Sequence, residues 1–137
     1  MKTSAYMNFD GDCKTAFEFY AKLFGGKILM MSAFGDSPGC EGMPDDARDK
    51  IMHARLAIGD DLLMGSDCIP AFPYTGVQGA SVALNVDEPA DADRIFAALA
   101  DGGKIEMPIQ ETFWAKRFGM TTDRFGVPWM VNCEQAS

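Results

Sequence analysis

The chain has one histidine, His53, and 12 lysines and arginines against 20 aspartates and glutamates. A net charge of −8 denies it the basic footprint that general nucleic-acid binding requires. The same charge disfavours adhesion to an anionic membrane surface. No apolar run approaches the roughly 20 residues of a membrane span. Residues 1–6 lack the apolar stretch of a signal peptide, so a cytoplasmic location is expected. The cysteines Cys13, Cys40, Cys68 and Cys133 are widely spaced and form no Cys-x-x-Cys pair. In a reducing compartment they read as free thiols, and their spacing does not support a zinc site.

What is present is an ordinary globular composition: 137 residues, 47% apolar and 23% charged. That length is one typical domain and can bury a real core. Gly-Gly-Lys-Ile occurs twice, at 25–28 and at 102–105. Each copy follows a matching stretch, Phe19-Tyr20-Ala21-Lys22-Leu23 and Ile95-Phe96-Ala97-Ala98-Leu99. The two copies lie a little over half the chain apart, which points to one structural unit built twice.

The local pattern agrees with that. Residues 5–9 read as a strand. Asp12 can cap a helix over 13–24, where Cys13, Ala16, Phe17, Tyr20, Leu23 and Phe24 share a face. Gly25 and Gly26 end it, and a strand follows over 27–34. Residues 35–49, with two prolines, three glycines and an Asp-Asp pair, read as an acidic loop. Strands follow at 51–58 and 62–66, joined by Gly59-Asp60-Asp61. The second half repeats the order. It has a strand at 80–86, a helix at 89–100 led by Pro89, and strands near 104–109, 115–122 and 127–133. Ala92, Ile95, Phe96 and Leu99 form the apolar stripe of that helix. The expectation is a single domain of two modules, about 1–68 and 79–137, with a linker at 69–78.

Phe9-Asp10-Gly11-Asp12, Phe19-Tyr20 and His53-Ala54-Arg55-Leu56-Ala57-Ile58-Gly59 carry a family resemblance. So do Gln110-Glu111-Thr112-Phe113-Trp114-Ala115 and Asp123-Arg124-Phe125-Gly126-Val127-Pro128-Trp129-Met130. Over nearly its whole length the chain resembles the vicinal oxygen chelate superfamily. That group holds glyoxalase I, bleomycin-resistance proteins and extradiol dioxygenases; the match is best to the PhnB-like branch. The resemblance implies an α+β fold. Two paired βαβββ modules would form a cup-shaped, largely antiparallel sheet with helices on the outer face.

Metal-dependent members place His and Glu ligands on the first and fourth strands of each module. Carried over, those positions fall on Ala5 or Tyr6, Met64, Ser81 and Met130. None is a usual ligand for a divalent oxygen-chelated metal, and thioether sulfur suits Cu(I) instead. The expectation is therefore no metal and no cofactor. Glyoxalase and dioxygenase chemistry, which needs a Lewis acid, loses its basis. Some relatives of this branch are described as demethylubiquinone methyltransferases. The chain has no Gly-rich strand-to-helix loop of the kind that cradles a nucleoside cofactor.

Several residues stand out against this frame. His53 and Arg55 share a strand face opposite Met52, Ala54, Leu56 and Ile58. They read as a catalytic or anion-binding pair, or as a strand pair satisfied by an acid such as Glu111. Met64, Met130, Met7, Ser81 and Asn85 would line the concave face, or else fill core. Trp114, with Gln110, Glu111 and Thr112, reads as a lid over a pocket or as a dimer contact. Arg117 reads as a second inward cation or as a solvated strand residue. Asp45, Asp46 and Asp49 lack the calcium-loop spacing.

The expected function is metal-independent binding of an amphipathic or anionic small molecule by a homodimer. The ligand residues would be Arg55, Met64, Ser81, Asn85, Gln110, Glu111, Trp114 and Met130. A lyase or isomerase using His53, or an atypical metal site of His53 and Glu111, is the alternative. A partner-binding module using Phe72, Tyr74 and Trp114 for dimerisation is the third reading.

Overall fold

A computed structural model describes residues 1–38 and 42–135. The chain divides into two compact units, Met1–Gly76 and Val77–Ser137.

In the first unit, β1 (Ala5–Phe9) leads into α1 (Cys13–Phe24), then β2 (Lys27–Ala33), a 3₁₀ turn (Phe34–Asp36), α2 (Asp45–Arg48), β3 (Ile51–Ile58) and β4 (Asp61–Asp67). Its four strands lie in the order β1-β4-β3-β2. Strand β1 runs parallel to β4, and the other neighbours are antiparallel. The second unit repeats the pattern with β5 (Val82–Asn85), α3 (Pro89–Ala100), β6 (Lys104–Gln110), β7 (Ala115–Thr122) and β8 (Pro128–Glu134). Its order is β5-β8-β7-β6, with β5 parallel to β8. The protein is thus an α+β fold of two four-stranded mixed sheets and three helices among the described residues.

Each long helix covers one face of its own sheet. Cys13, Ala16, Phe17 and Tyr20 of α1 are buried, as are Ala92, Ile95, Phe96 and Leu99 of α3. These stripes follow the 3.6-residue period that the sequence displays. The sheets answer with small residues where the helices press closest. A Cβ at Gly65 would stand 3.0 Å from the Phe17 ring, and one at Gly119 would stand 2.7 Å from the Phe96 ring.

The duplicated Gly-Gly pair has a steric cause. In the first unit Gly25 takes the left-handed conformation that ends α1, at φ 67. A Cβ on Gly26 would lie 2.6 Å from the carbonyl oxygen of Ala57. In the second unit Asp101 (φ −65, ψ 118) and Gly102 (φ 75) form a type II turn, closed by Gly103 N–H donating to Ala100 O at 3.0 Å. A Cβ on Gly103 would overlap the carbonyl of Thr122. The Lys-Ile that follows each pair opens an antiparallel ladder, Lys27 opposite Ala57 and Lys104 opposite Thr122.

Three local expectations change. Asp12 occupies the N-cap position but makes no side-chain cap bond. Asp67, far along the chain on β4, does that work. Its Oδ1 accepts the Cys13 N–H at 2.9 Å and its Oδ2 accepts the Ile51 N–H at 2.8 Å. Acidic segment 35–49 is not all loop, because Asp45 and Asp46 sit in the first turn of α2, where the helix dipole favours carboxylates. Strand β5 is shorter than expected and starts at Val82, where pairing with Trp129 begins, so Ser81 lies just outside it. Cys13, Cys68 and Cys133 are free thiols. Cys40, with Gly39 and Glu41, lies outside the described residues.

Candidate functional site

Opposite its helix, each sheet presents a face whose composition follows from strand register. In the first unit one row crosses all four strands: Tyr6 opposite Met64, Met64 opposite Arg55, Arg55 opposite Met30. The next row is polar. Asn8 pairs with Ser66 and Ser32 with His53, and the register Ala54 to Gly65 continues to set Ser66 opposite His53. Period-2 alternation explains the separation from the core: Met7, Phe9, Ala54, Leu56 and Leu63 point to the helix side and are buried.

His53 and Arg55 therefore occupy the face their alternation implies, with Met64 between β1 and β3. Met7 does not. It faces the helix and is 6% exposed, because the odd-numbered residues of β1 carry the core contacts and Tyr6 takes the open side.

The partner of His53 is a phenol rather than an acid. Tyr6 Oη lies 3.1 Å from His53 Nδ1, and the two rings stack at 5.7 Å with 20° between planes. With the neutral imidazole protonated on Nε2, the tyrosine hydroxyl donates to Nδ1. Arg55 is exposed and has no ion-pair partner among the described residues. A bare guanidinium between two thioethers can grip a carboxylate or phosphate with two parallel hydrogen bonds.

The second unit has the same two rows in different chemistry. Ala83, Met130, Met120 and Met107 form the first. Asn85, Asn132, Phe118 and Gln110 form the second. Asn132 Nδ2 donates to Asn85 Oδ1 at 3.2 Å. Trp114 is 46% exposed and packs edge-on to Phe118 at 5.5 Å and to Phe113 at 4.8 Å. Glu111 is exposed just beyond β6, and Ser81 is exposed just before β5. Arg117 does not join this face. It turns to the helix side and pairs with Asp93 of α3 at 2.7 Å.

Sequence reading missed Asn8, Ser32, Ser66 and Asn132. Asn8 and Asn132 alternate with buried apolar neighbours, whereas Ser66 lies between buried Gly65 and Asp67 and Ser32 between half-buried Met31 and Ala33. The signal was available once the strand register was known, and only then.

The long motif at 123–130 proves to be a structural clamp. Buried Asp123 accepts the Phe125 N–H at 2.9 Å and the Val127 N–H at 3.0 Å through Oδ1. Its Oδ2 accepts the Trp129 indole N–H at 2.8 Å. One carboxylate thereby fixes the β7–β8 turn and a fully buried tryptophan. In the other long motif, Thr112 closes the β6–β7 turn through a backbone pair with Ala115 and a hydroxyl that accepts the Ala115 N–H at 3.1 Å.

The superfamily's ligand positions do not fit a divalent, oxygen-coordinated metal here. Met64 and Met130 offer soft sulfur, Ser81 a neutral hydroxyl, and Tyr6 a phenol engaged with His53. Among the described residues no three His, Cys, Asp or Glu side chains gather as a metal-binding group.

Comparison with known proteins agrees with this architecture. The family model described as 3-demethylubiquinone-9 3-methyltransferase matches residues 1–132. The chain belongs to that family, the PhnB-like branch of the vicinal oxygen chelate superfamily. Protein YjdN of Escherichia coli K12 is 38% identical, across 96% of this chain and 95% of its own. The crystal structure of protein PA1353 from Pseudomonas aeruginosa is 53% identical, covers 99% of both chains and superposes with a TM-score of 0.91. A PhnB protein from Bacillus cereus is 25% identical, covers 97% of this chain and 99% of its own, and has a TM-score of 0.82. No helix among the described residues is long and apolar enough to cross a membrane.

Proposed function

We propose that this chain binds a small amphipathic anion without a metal, as a cytoplasmic homodimer. The observation that carries the reading is Arg55, exposed and without an ion-pair partner among the described residues, in the row Tyr6–Met64–Arg55–Met30. The guanidinium takes the acid group. Thioethers on either side adapt to an irregular apolar body. His53, held by Tyr6, supplies a hydrogen-bonding group beside them. It would be the base of the lyase or isomerase alternative, but the imidazole lacks an orienting carboxylate among the described residues. In the second unit the methionine row, the Asn85–Asn132 pair, Gln110 and Trp114 have the mixed apolar and polar make-up of ligand surfaces. Ser81 and Glu111 flank it.

The family's description names a methyl transfer. The strand-to-helix turns at 10–12 and 86–88 hold one glycine between them and give no support to a cradle for a nucleoside methyl donor. Metal independence is supported by the donor chemistry at the four superfamily positions.

Thermal stabilisation by benzoate or hexanoate, in the presence of EDTA, tests the reading. Binding to the native state raises the melting temperature by mass action. The shift is expected to survive chelation and to vanish in Arg55→Leu. A shift abolished by EDTA, or unchanged in Arg55→Leu, defeats it. Sedimentation equilibrium at twice the monomer mass is the expected result for the dimer.

A further inference from the structure

We infer that the first unit holds a second small-molecule site, separate from Arg55, for an uncharged ring-bearing molecule with a hydrogen-bonding group. The segment expected to be a linker builds one wall of it. Cys68 N–H donates to Phe9 O at 2.7 Å, which ties the segment to β1. Phe72 N–H donates to Ile69 O at 2.8 Å, folding it back as a short turn. Beneath this turn lies a pocket of about 620 Å³. That volume is within the usual range for small-molecule sites.

The lining sets the chemistry. Phe34, Met52 and Phe72 provide apolar walls. The polar groups are Asn8 and Ser66, which end the polar row described above, and Cys68. Phe72 is 74% exposed, a large apolar cost in water that a stacked ring would relieve. Asp67 also lines the pocket, but both its oxygens are spent on the amides of Cys13 and Ile51. Its charge stays, so the pocket is hostile to anions without offering a free carboxylate to a cation.

The Cys68 thiol reports the same field. Burial, then Asp10 and Asp67, raise its pKa above the ordinary thiol value, against an opposing effect of Lys50. The thiol therefore stays protonated and contributes a neutral S–H. Amide, hydroxyl and thiol against apolar walls select a neutral ligand over an ion of the same shape.

Three probes of one size and different charge decide it: benzamide, benzoate and benzamidine. Each is titrated into the full-length protein and followed by ¹H–¹⁵N NMR. Benzamide is expected to shift the amides of Ser66, Cys68 and Phe72, and Phe72→Ala is expected to weaken it at least fivefold. Because Phe72 is largely exposed, this variant keeps the core intact. Ser66→Ala is expected to weaken benzamide severalfold as well. Benzoate is expected to leave those three amides in place and to act near Arg55, so failure there strikes the proposed function and not the pocket. The pocket assignment is overturned if benzamide leaves the three amides unmoved, if Phe72→Ala binds it as tightly as the parent, or if benzoate or benzamidine shifts them more strongly.

Discussion

Gly103→Ala is the sharpest test of why the chain repeats Gly-Gly-Lys-Ile. The new methyl would overlap the Thr122 carbonyl oxygen and stand 2.9 Å from the Asp123 Cα, both backbone atoms of the β7 end. Ordinary contact begins at 3.4 Å, so the strand end would have to move by about 1 Å or break its pairing with Lys104. Overpacking against rigid neighbours costs about 1–3 kcal/mol, and a conflict with backbone belongs at or above the top of that range. Gly26→Ala meets the Ala57 oxygen at 2.6 Å and should cost about 2 kcal/mol. Gly25→Ala meets nothing within 4 Å and carries only the left-handed penalty of about 1 kcal/mol. Urea unfolding followed by circular dichroism measures the three midpoints under one slope. At this size each kcal/mol moves the melting temperature by about 3–5 °C, so calorimetry offers a second reading. The expected order of damage is Gly103, Gly26, Gly25. A Gly103→Ala midpoint equal to the parent, or a Gly25→Ala variant weaker than Gly103→Ala, refutes the steric account.

Asp123→Asn keeps one acceptor oxygen and sets its amide NH2 against either the Trp129 indole N–H or the two backbone N–H groups, and should cost about 2–4 kcal/mol in urea unfolding. Near-UV circular dichroism of Trp129 should weaken with it. Cys13 bears on alkaline stability. Burial first, then Asp67 and Asp12, raise its thiol pKa above the ordinary 9.0. The folded state therefore keeps a proton that the unfolded chain releases, and this contribution is present below pH 9.0 and lost as pH climbs beyond it. Cys13→Ala should cost about 1 kcal/mol of packing at pH 7. The gap to the parent should narrow by about 1 kcal/mol between pH 9 and 10; a constant gap contradicts the burial of the thiol. Tyr6→Phe removes the hydrogen bond to His53 at an exposed position, so unfolding should change by less than about 0.5 kcal/mol. The ¹⁵N shift of His53 Nδ1 should move, and an unmoved resonance would mean the bond does not form in solution.

Much of the fold was legible because it rests on local periodicity. Helix α3 and its buried quartet follow from the spacing of Ala92, Ile95, Phe96 and Leu99. The open-face placement of His53 and Arg55 followed from alternation, and that of Met64 and Met130 from the family's strand positions. What stayed hidden depends on contacts distant in sequence. Asp67 caps α1 from another strand, which no local cap pattern can reveal. Met7 was misplaced because β1 is five residues long and mixed on both faces, so its parity could be read either way until Tyr6 paired with Met64. The pocket under Phe72 escaped because proline and glycine near 70–79 resemble a linker in composition, while the two hydrogen bonds that fold its start back are invisible in sequence. The Asp123 motif carried the family resemblance because its residues are rare. Their rarity reflects the three donors that one carboxylate must satisfy.

The central claim is that an acid group is bound through a side chain and not through a metal. A crystal structure of the exhaustively chelated protein with benzoate tests it most directly. The expected density places the carboxylate in bidentate contact with the Arg55 guanidinium, with the ring against Met30 or Met64. A divalent cation held between protein side chains and the carboxylate, or benzoate bound away from Arg55, would contradict it.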